Sequence, residues 1–208
     1  MIPTNALSTS VVFGRFLSPD NLPVDDTVDY ELGGVGLSDA SQGLMYQTWT
    51  AYISGTIGDP GTAVYIKAPN TADQLLFSLD GLTAISLAFD QNMHPFIAYT
   101  ASGVSGFWWY DATIPGQIFT DLPVGSSVSK CSLDDKREVA TLTGTSDILI
   151  VYIRTDNLYY RQERDRYLTE RILLADVSTH LIAPRVGKVG MTEVGRVQFY
   201  LYGSLLPP

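Results

Sequence analysis

The most constraining feature of this 208-residue chain is a strand motif that returns four times. Thr48-Trp49-Thr50-Ala51-Tyr52-Ile53, Pro95-Phe96-Ile97-Ala98-Tyr99-Thr100, Leu149-Ile150-Val151-Tyr152-Ile153-Arg154 and Gln198-Phe199-Tyr200-Leu201-Tyr202-Gly203 are each β-branched and aromatic runs of strand type. Aligned on Tyr52, Tyr99, Tyr152 and Tyr200, they stand 47, 53 and 48 residues apart. A repeat of that length is one supersecondary unit, which must stack on its neighbours to bury its apolar faces.

The flanking runs repeat as well. A second run follows each of the first three motifs, at Ala63–Ala68, Gly106–Ala112 and Asn157–Gln162, and a third follows at Gln74–Leu79, Gln117–Leu122 and Thr169–Ala175. Preceding runs stand at Glu31–Leu37, Ile85–Phe89, Val128–Leu133 and Arg185–Val189. Gly58-Asp59-Pro60-Gly61, Asp90-Gln91-Asn92, Ser102-Gly103, Pro115-Gly116 and Thr155-Asp156-Asn157 supply the dihedrals that tight turns need. The pattern predicts an all-β domain of about four four-stranded antiparallel meanders, with units near 30–82, 83–125, 126–178 and 179–208. A period near fifty residues lies in the range of β-propeller blades. A β-sandwich, or an open arc completed by neighbours, stays open as an alternative. Glu163 to Leu174 is rich in helix formers but lacks a 3.6-residue apolar period, so its second half reads as a strand.

The fourth copy ends early, which would leave an open sheet edge. Ser10-Val11-Val12-Phe13-Gly14-Arg15-Phe16 reads as a strand ahead of the first unit, followed by a Pro- and acid-bearing linker from Ser18 to Asp29. Residues 1–29 are therefore expected to form an arm whose strand closes the last unit. A neighbouring subunit filling that edge is the rival expectation.

Hydrophobic residues make up 45% and charged residues 17%, a balance that excludes disorder and permits a large core. Cys131 is the single cysteine, so no intrachain disulfide forms. No apolar run approaches the ~20 residues of a membrane-spanning helix. Met1 to Ser10 has neither a basic residue nor a long apolar stretch, unlike a secretory signal, and the chain reads as cytoplasmically made. Net charge is −9, unevenly spread: residues 1–126 hold two bases (Arg15 and Lys67) against twelve acids, and residues 127–208 hold eleven against ten. The basic stretch Arg161 to Arg171 is interrupted by Glu163, Asp165 and Glu170, so specific nucleic-acid binding is not expected.

Residues that carry chemistry are sparse. His94 and His180 are the only histidines, neither is flanked by a second metal ligand at strand spacing, and both read as loop residues. Cys131 has no nearby histidine and reads as a small buried hydrophobe. Asp25-Asp26 and Asp134-Asp135 are the candidates for a paired-carboxylate hydrolase, but adjacent strand residues face opposite ways. Asp134-Asp135-Lys136-Arg137-Glu138 reads better as a charged turn. Asp20, Asp25, Asp26 and Asp29 are dense but lack an ordered calcium-ligand spacing. Gly33-Gly34-Val35-Gly36 precedes no helix and makes no phosphate cradle. The expectation is no catalytic residue, no metal and no cofactor. The aromatics Trp108, Trp109, Tyr110, Tyr159 and Tyr160 fall in corresponding runs of their units. Alternation sets Trp108 and Tyr110 on one face and Phe107 and Trp109 on the other. They read as core between packed units, or as an interface or glycan-stacking surface.

Leu133-Asp134-Asp135-Lys136-Arg137, Ser146-Asp147-Ile148, Tyr152-Ile153-Arg154 and Asn157-Leu158-Tyr159-Tyr160-Arg161-Gln162-Glu163-Arg164-Asp165-Arg166-Tyr167 together resemble a blade module of tailed-bacteriophage tail proteins. The likeness covers about forty residues of the third unit and is weaker elsewhere. It implies a virion structural protein at the tail tip, baseplate or fibre-attachment site, assembled in a bacterial cytoplasm. Its partners would be other tail proteins and further copies of itself, with no membrane insertion. A receptor- or carbohydrate-binding propeller of a tail fibre, in contact with the host, is the alternative.

Overall fold

A computed structural model describes residues 30–38, 45–67, 71–90, 94–110, 117–135, 146–179, 181–191 and 197–205. The arm at 1–29, with its closing strand and the Asp20, Asp25, Asp26 and Asp29 group, lies outside the described residues, as does His180.

The described chain is all-β, in sheets that follow sequence order. The first sheet holds β1 (Tyr30–Ser38), β2 (Met45–Ser54), β3 (Ala63–Lys67) and β4 (Gln74–Ser78). The second holds β5 (Leu82–Phe89), β6 (Pro95–Ala101), β7 (Val104–Tyr110) and β8 (Gln117–Asp121). The third holds β9 (Lys130–Asp135), β10 (Ser146–Arg154), β11 (Asn157–Gln162) and β12 (Arg171–Leu174). The last holds only β13 (Leu181–Met191) and β14 (Val197–Leu205). Every pairing is antiparallel between consecutive strands, and the four recurring motifs are the second strands β2, β6, β10 and β14.

Local chemistry sets the turns. Ser102 and Gly103 at φ 48° and 79° form a two-residue turn of the kind that matches strand twist, and Thr155 and Asp156 at 45° and 64° do the same without glycine. Gly33-Gly34-Val35-Gly36 lies inside β1 and absorbs a register shift between Gly33 and Val35. Glu163–Asp165 makes one 3-10 turn, and the strand expected behind it is β12.

Three apolar clusters fill the spaces between successive sheets. Ala51, Ile53, Val64, Ile66 and Phe77 of the first sheet meet Ile85, Leu87, Ile97, Tyr99 and Trp108 of the second. Phe96, Ala98 and Phe107 on the opposite face meet Cys131, Ile148, Ile150 and Tyr152 of the third. Val151, Ile153 and Leu158 meet Val186, Phe199 and Leu201 of the last. The central strands of the second and third sheets are thus apolar on both faces, as strands packed on each side must be. The first strands neighbour one another in turn: β1 lies against β5, β5 against β9, and β9 against β13.

Candidate functional site

Period-two alternation divides the aromatics of β7 between two interfaces. Trp108 is 4% exposed and packs in the first cluster, its ring 5.4 Å from that of Phe77. Phe107 and Trp109 point the other way, into the second cluster. Tyr110 ends the strand 46% exposed, with its ring 4.6 Å from the His94 imidazole. On β11, Tyr159 stacks on Tyr152 at 6.0 Å beneath the Arg154 guanidinium. Tyr160 packs toward the last sheet, with Arg171 6.0 Å over its ring. The five aromatics do not share one surface, and Trp108 offers none to solvent.

What gathers at the join of the second and third sheets is a different set, organised by Tyr167. Its hydroxyphenyl group wedges among Phe96, Phe107 and Trp109, with ring centroids 5.0, 5.0 and 5.3 Å away. The turn that delivers it is costly: Arg166 and Tyr167 both hold left-handed backbone, at φ 55° and 59°. Main-chain bonds secure it, from Arg166 N–H to the Glu163 carbonyl (2.7 Å) and from Tyr167 N–H to the Gln162 carbonyl (2.9 Å). Arg166 then lies 5.5 Å over the Trp109 ring.

Carboxylates from separate elements surround that wedge. Asp134 on β9 and Asp147 on β10 are directly opposed across the ladder and both buried. Like charges so placed repel, and Arg164 offsets this by giving its guanidinium to Asp147 Oδ2 and its main-chain N–H to Oδ1 at 3.1 Å. Glu163 returns the contact by accepting the Ile148 N–H at 3.0 Å. Asp90 accepts the His94 main-chain N–H at 2.7 Å and lies 2.8 Å from its ring Nδ1. Burial pushes the Glu163 carboxyl above the usual range; the Ile148 N–H pulls it back, and the charges of Asp90 and Asp147 push it up again. Burial likewise raises the Tyr167 phenol well above its ordinary value, with the charge of Glu163 adding to it.

A second network covers the outer part of the third sheet. Tyr152 donates to Glu170 Oε1 at 2.6 Å and accepts from Arg161 Nε at 3.1 Å. Arg154 donates to the other Glu170 oxygen at 2.5 Å. Burial acts to raise Glu170, but the bonds from Tyr152 and Arg154 outweigh it and hold the carboxyl below its usual range. Arg161 also donates to the Tyr167 carbonyl at 3.1 Å, which links the two networks.

One sequence expectation changes here. Asp134 and Asp135 are not in a charged turn: they end β9, because the ladder with β10 extends through Asp134–Asp147 and Asp135–Ser146. The carboxylate pair that matters is Asp134 with Asp147, separated in sequence and joined only by register. Cys131 is buried, its thiol donating to the Ser86 carbonyl at 3.0 Å. Among the described residues no group of three or more His, Cys, Asp and Glu side chains could hold a metal ion. Among them, too, no helix is long and apolar enough to cross a membrane. The arrangement is chemically suited to holding two sheets together through desolvated aromatic and charge-assisted contacts. No family model, no curated protein and no solved structure matches this chain.

Proposed function

We propose that this chain is a structural component of a bacteriophage tail, acting as an assembly or adaptor element at the tail tip or baseplate. The observation that carries the reading is the sheet count: three sheets of four strands and a last one of two among the described residues. A domain built this way presents a strand edge that another segment must complete, which is what an assembly part uses. The likeness of residues 133–167 to a tail-protein blade module supports the same class. In this reading the sheets are blades of a small propeller whose first strands line the axis, a layout favoured by the succession of β1, β5, β9 and β13. In this reading the last blade is completed either by the N-terminal strand at Ser10–Phe16 or by a strand of a neighbouring subunit. The protein acts through contacts with other tail proteins and with copies of itself, inside the virion, after assembly in the host cytoplasm. Cryo-electron microscopy of a particle carrying the protein tests this. Density for the domain at the tail tip or baseplate is expected; its absence from the purified particle overturns the reading.

A second reading, a receptor- or carbohydrate-binding module of a tail fibre, is favoured by one observation: the half-exposed Tyr110 ring beside His94. A glycan array separates the two, because the assembly reading predicts no bound glycan and no loss on Tyr110→Ala.

A further inference from the structure

The first and third sheets carry the same cross-strand row. In the third, register sets Tyr152 of β10 opposite Tyr159 of β11, and Tyr159 opposite Ile172 of β12. The two tyrosine rings stack at 6.0 Å, and both pack in the cluster shared with the second sheet. In the first, register sets Tyr52 of β2 opposite Tyr65 of β3, and Tyr65 opposite Leu75 of β4. Tyr52 and Tyr65 stack at 5.7 Å. Each row lies on the face turned away from the next sheet in the chain. Ala51, Ile53 and Val64 send the other face of the first sheet to the second, and Val151, Ile153 and Leu158 send the other face of the third to the last. The row of the third sheet is covered by the sheet before it. The first sheet has no described sheet before it, and the outer part of its row is open: Tyr65 is half-buried and Leu75 is 54% exposed.

The repeated stacking says which partner fits. Three times, the forward face of one sheet receives the rear face of the next. Among the described sheets, the forward face left without a follower is that of the last. Val186 and Leu201, opposed in register, turn the rear face of that sheet to the third. Arg185 and Ile182 are opposed to positions 202 and 204, odd steps along β14 from Leu201, and so stand on the forward face. The register shift between Ile182 and Arg185 is what lets Ile182 and Val186 face opposite ways. Arg185 is exposed, and Ile182 is 46% exposed. Nor does the last sheet return to the first within one chain. β1 lies against β5, β5 against β9 and β9 against β13, but among the described residues no comparable approach joins β13 to β1. An unmatched forward face and an unmatched rear face at the two ends of one arc meet only between copies, as a head-to-tail contact.

We propose that the rear face of the first sheet, at Tyr65 and Leu75, is a self-association surface that receives the last sheet of a second copy of this chain, head to tail. The proposal rests on the assembly reading for its use in a tail, and the ring of blades is then closed between copies rather than within one. Sedimentation velocity of the full chain, at concentrations from about 1 to 100 μM, is the test. Species larger than a monomer are expected. Leu75→Lys and Ile182→Lys each bury an unpaired ammonium in the contact and should each weaken association by about tenfold or more. Circular dichroism spectra should stay unchanged, because neither side chain belongs to a core cluster. The contact joins two different faces, so each variant keeps one of them intact. A mixture of the two variants should therefore form a heterodimer that grows no further. A wild-type protein that stays monomeric throughout overturns the proposal, as do assemblies indifferent to both substitutions or a mixture that stays monomeric. Closure of the first sheet on the last within one chain, seen as a monomer whose melting temperature falls with either substitution, overturns it too. Incorporation of a monomeric protein into tails would leave the assembly reading standing and sink this one; head-to-tail assemblies of a protein absent from the particle would do the reverse.

Discussion

Replacing Tyr167 by alanine tests whether the join of the second and third sheets rests on one inserted ring. Tyr167 is 2% exposed and touches three aromatic rings. Removing a buried aromatic side chain costs about 3–5 kcal/mol, since the cavity does not fully collapse. The left-handed backbone at position 167 strains alanine as it strains tyrosine, so it does not enter that difference. Glycine would relieve ~1–2 kcal/mol of strain but lose about 0.4–1 kcal/mol through its freer unfolded chain. Tyr167→Gly should therefore be as stable as Tyr167→Ala or slightly more so, against the usual order. Tyr167→Phe keeps all three ring contacts and should stay near wild type. For a domain of this size each kcal/mol moves the melting temperature by roughly 2–4 °C, which places the alanine variant about 6–20 °C lower. Thermal and urea melts followed by tryptophan fluorescence, with Trp109 beside the ring, give both numbers. A loss under about 3 °C for alanine, or phenylalanine as damaging as alanine, would refute the wedge.

Other outcomes follow from the same geometry. A Cβ on Gly106 would lie 2.7 Å from the Tyr99 hydroxyl and 2.9 Å from the Thr120 carbonyl, so Gly106→Ala should displace Tyr99 and cost about 1–3 kcal/mol in urea melts. Glu163 prefers its proton in the fold, so its stabilising share is complete in acid, below the unfolded carboxyl's pKa, and lost as pH rises through the higher folded value. Glu163→Gln should accordingly flatten the pH dependence of the melting temperature just above the usual carboxylate range, without lowering it at neutral pH; a neutral-pH loss would count against the assignment. Burial, aided by Asp121, raises Tyr99 to about 12, so the stability linked to that phenol should persist to near pH 10 and fall away toward pH 12. Spectrophotometric titration at 295 nm should show Tyr99 ionising only in that upper window. Deleting residues 1–17 should aggregate or unfold the domain if the N-terminal strand completes the last sheet; an unchanged melting temperature would remove that strand from the fold.

The strand content and sheet order of this protein are written locally in its residues. Runs centred on Tyr52, Tyr99, Tyr152 and Tyr200 became β2, β6, β10 and β14 because β-branched and aromatic side chains suit a pleated surface, and glycine, asparagine and aspartate ended them. Alternation in Phe107-Trp108-Trp109-Tyr110 was equally legible, including the assignment of neighbours to opposite faces. What alternation could not say was what covers each face. Trp108 became core because the first sheet covers its face, while Tyr110, on the same face, stays half open at the strand end. The juxtaposition of Asp134 with Asp147 depends on cross-strand register, and the influence of the Asp90 charge on Glu163 depends on the placement of separate sheets; neither has a sequence signature. The insertion of Tyr167 was hidden for a further reason. Two consecutive left-handed residues, neither of them glycine, are intrinsically unfavourable, and the burial of the ring among Phe96, Phe107 and Trp109, together with the main-chain bonds of the turn, offsets that cost.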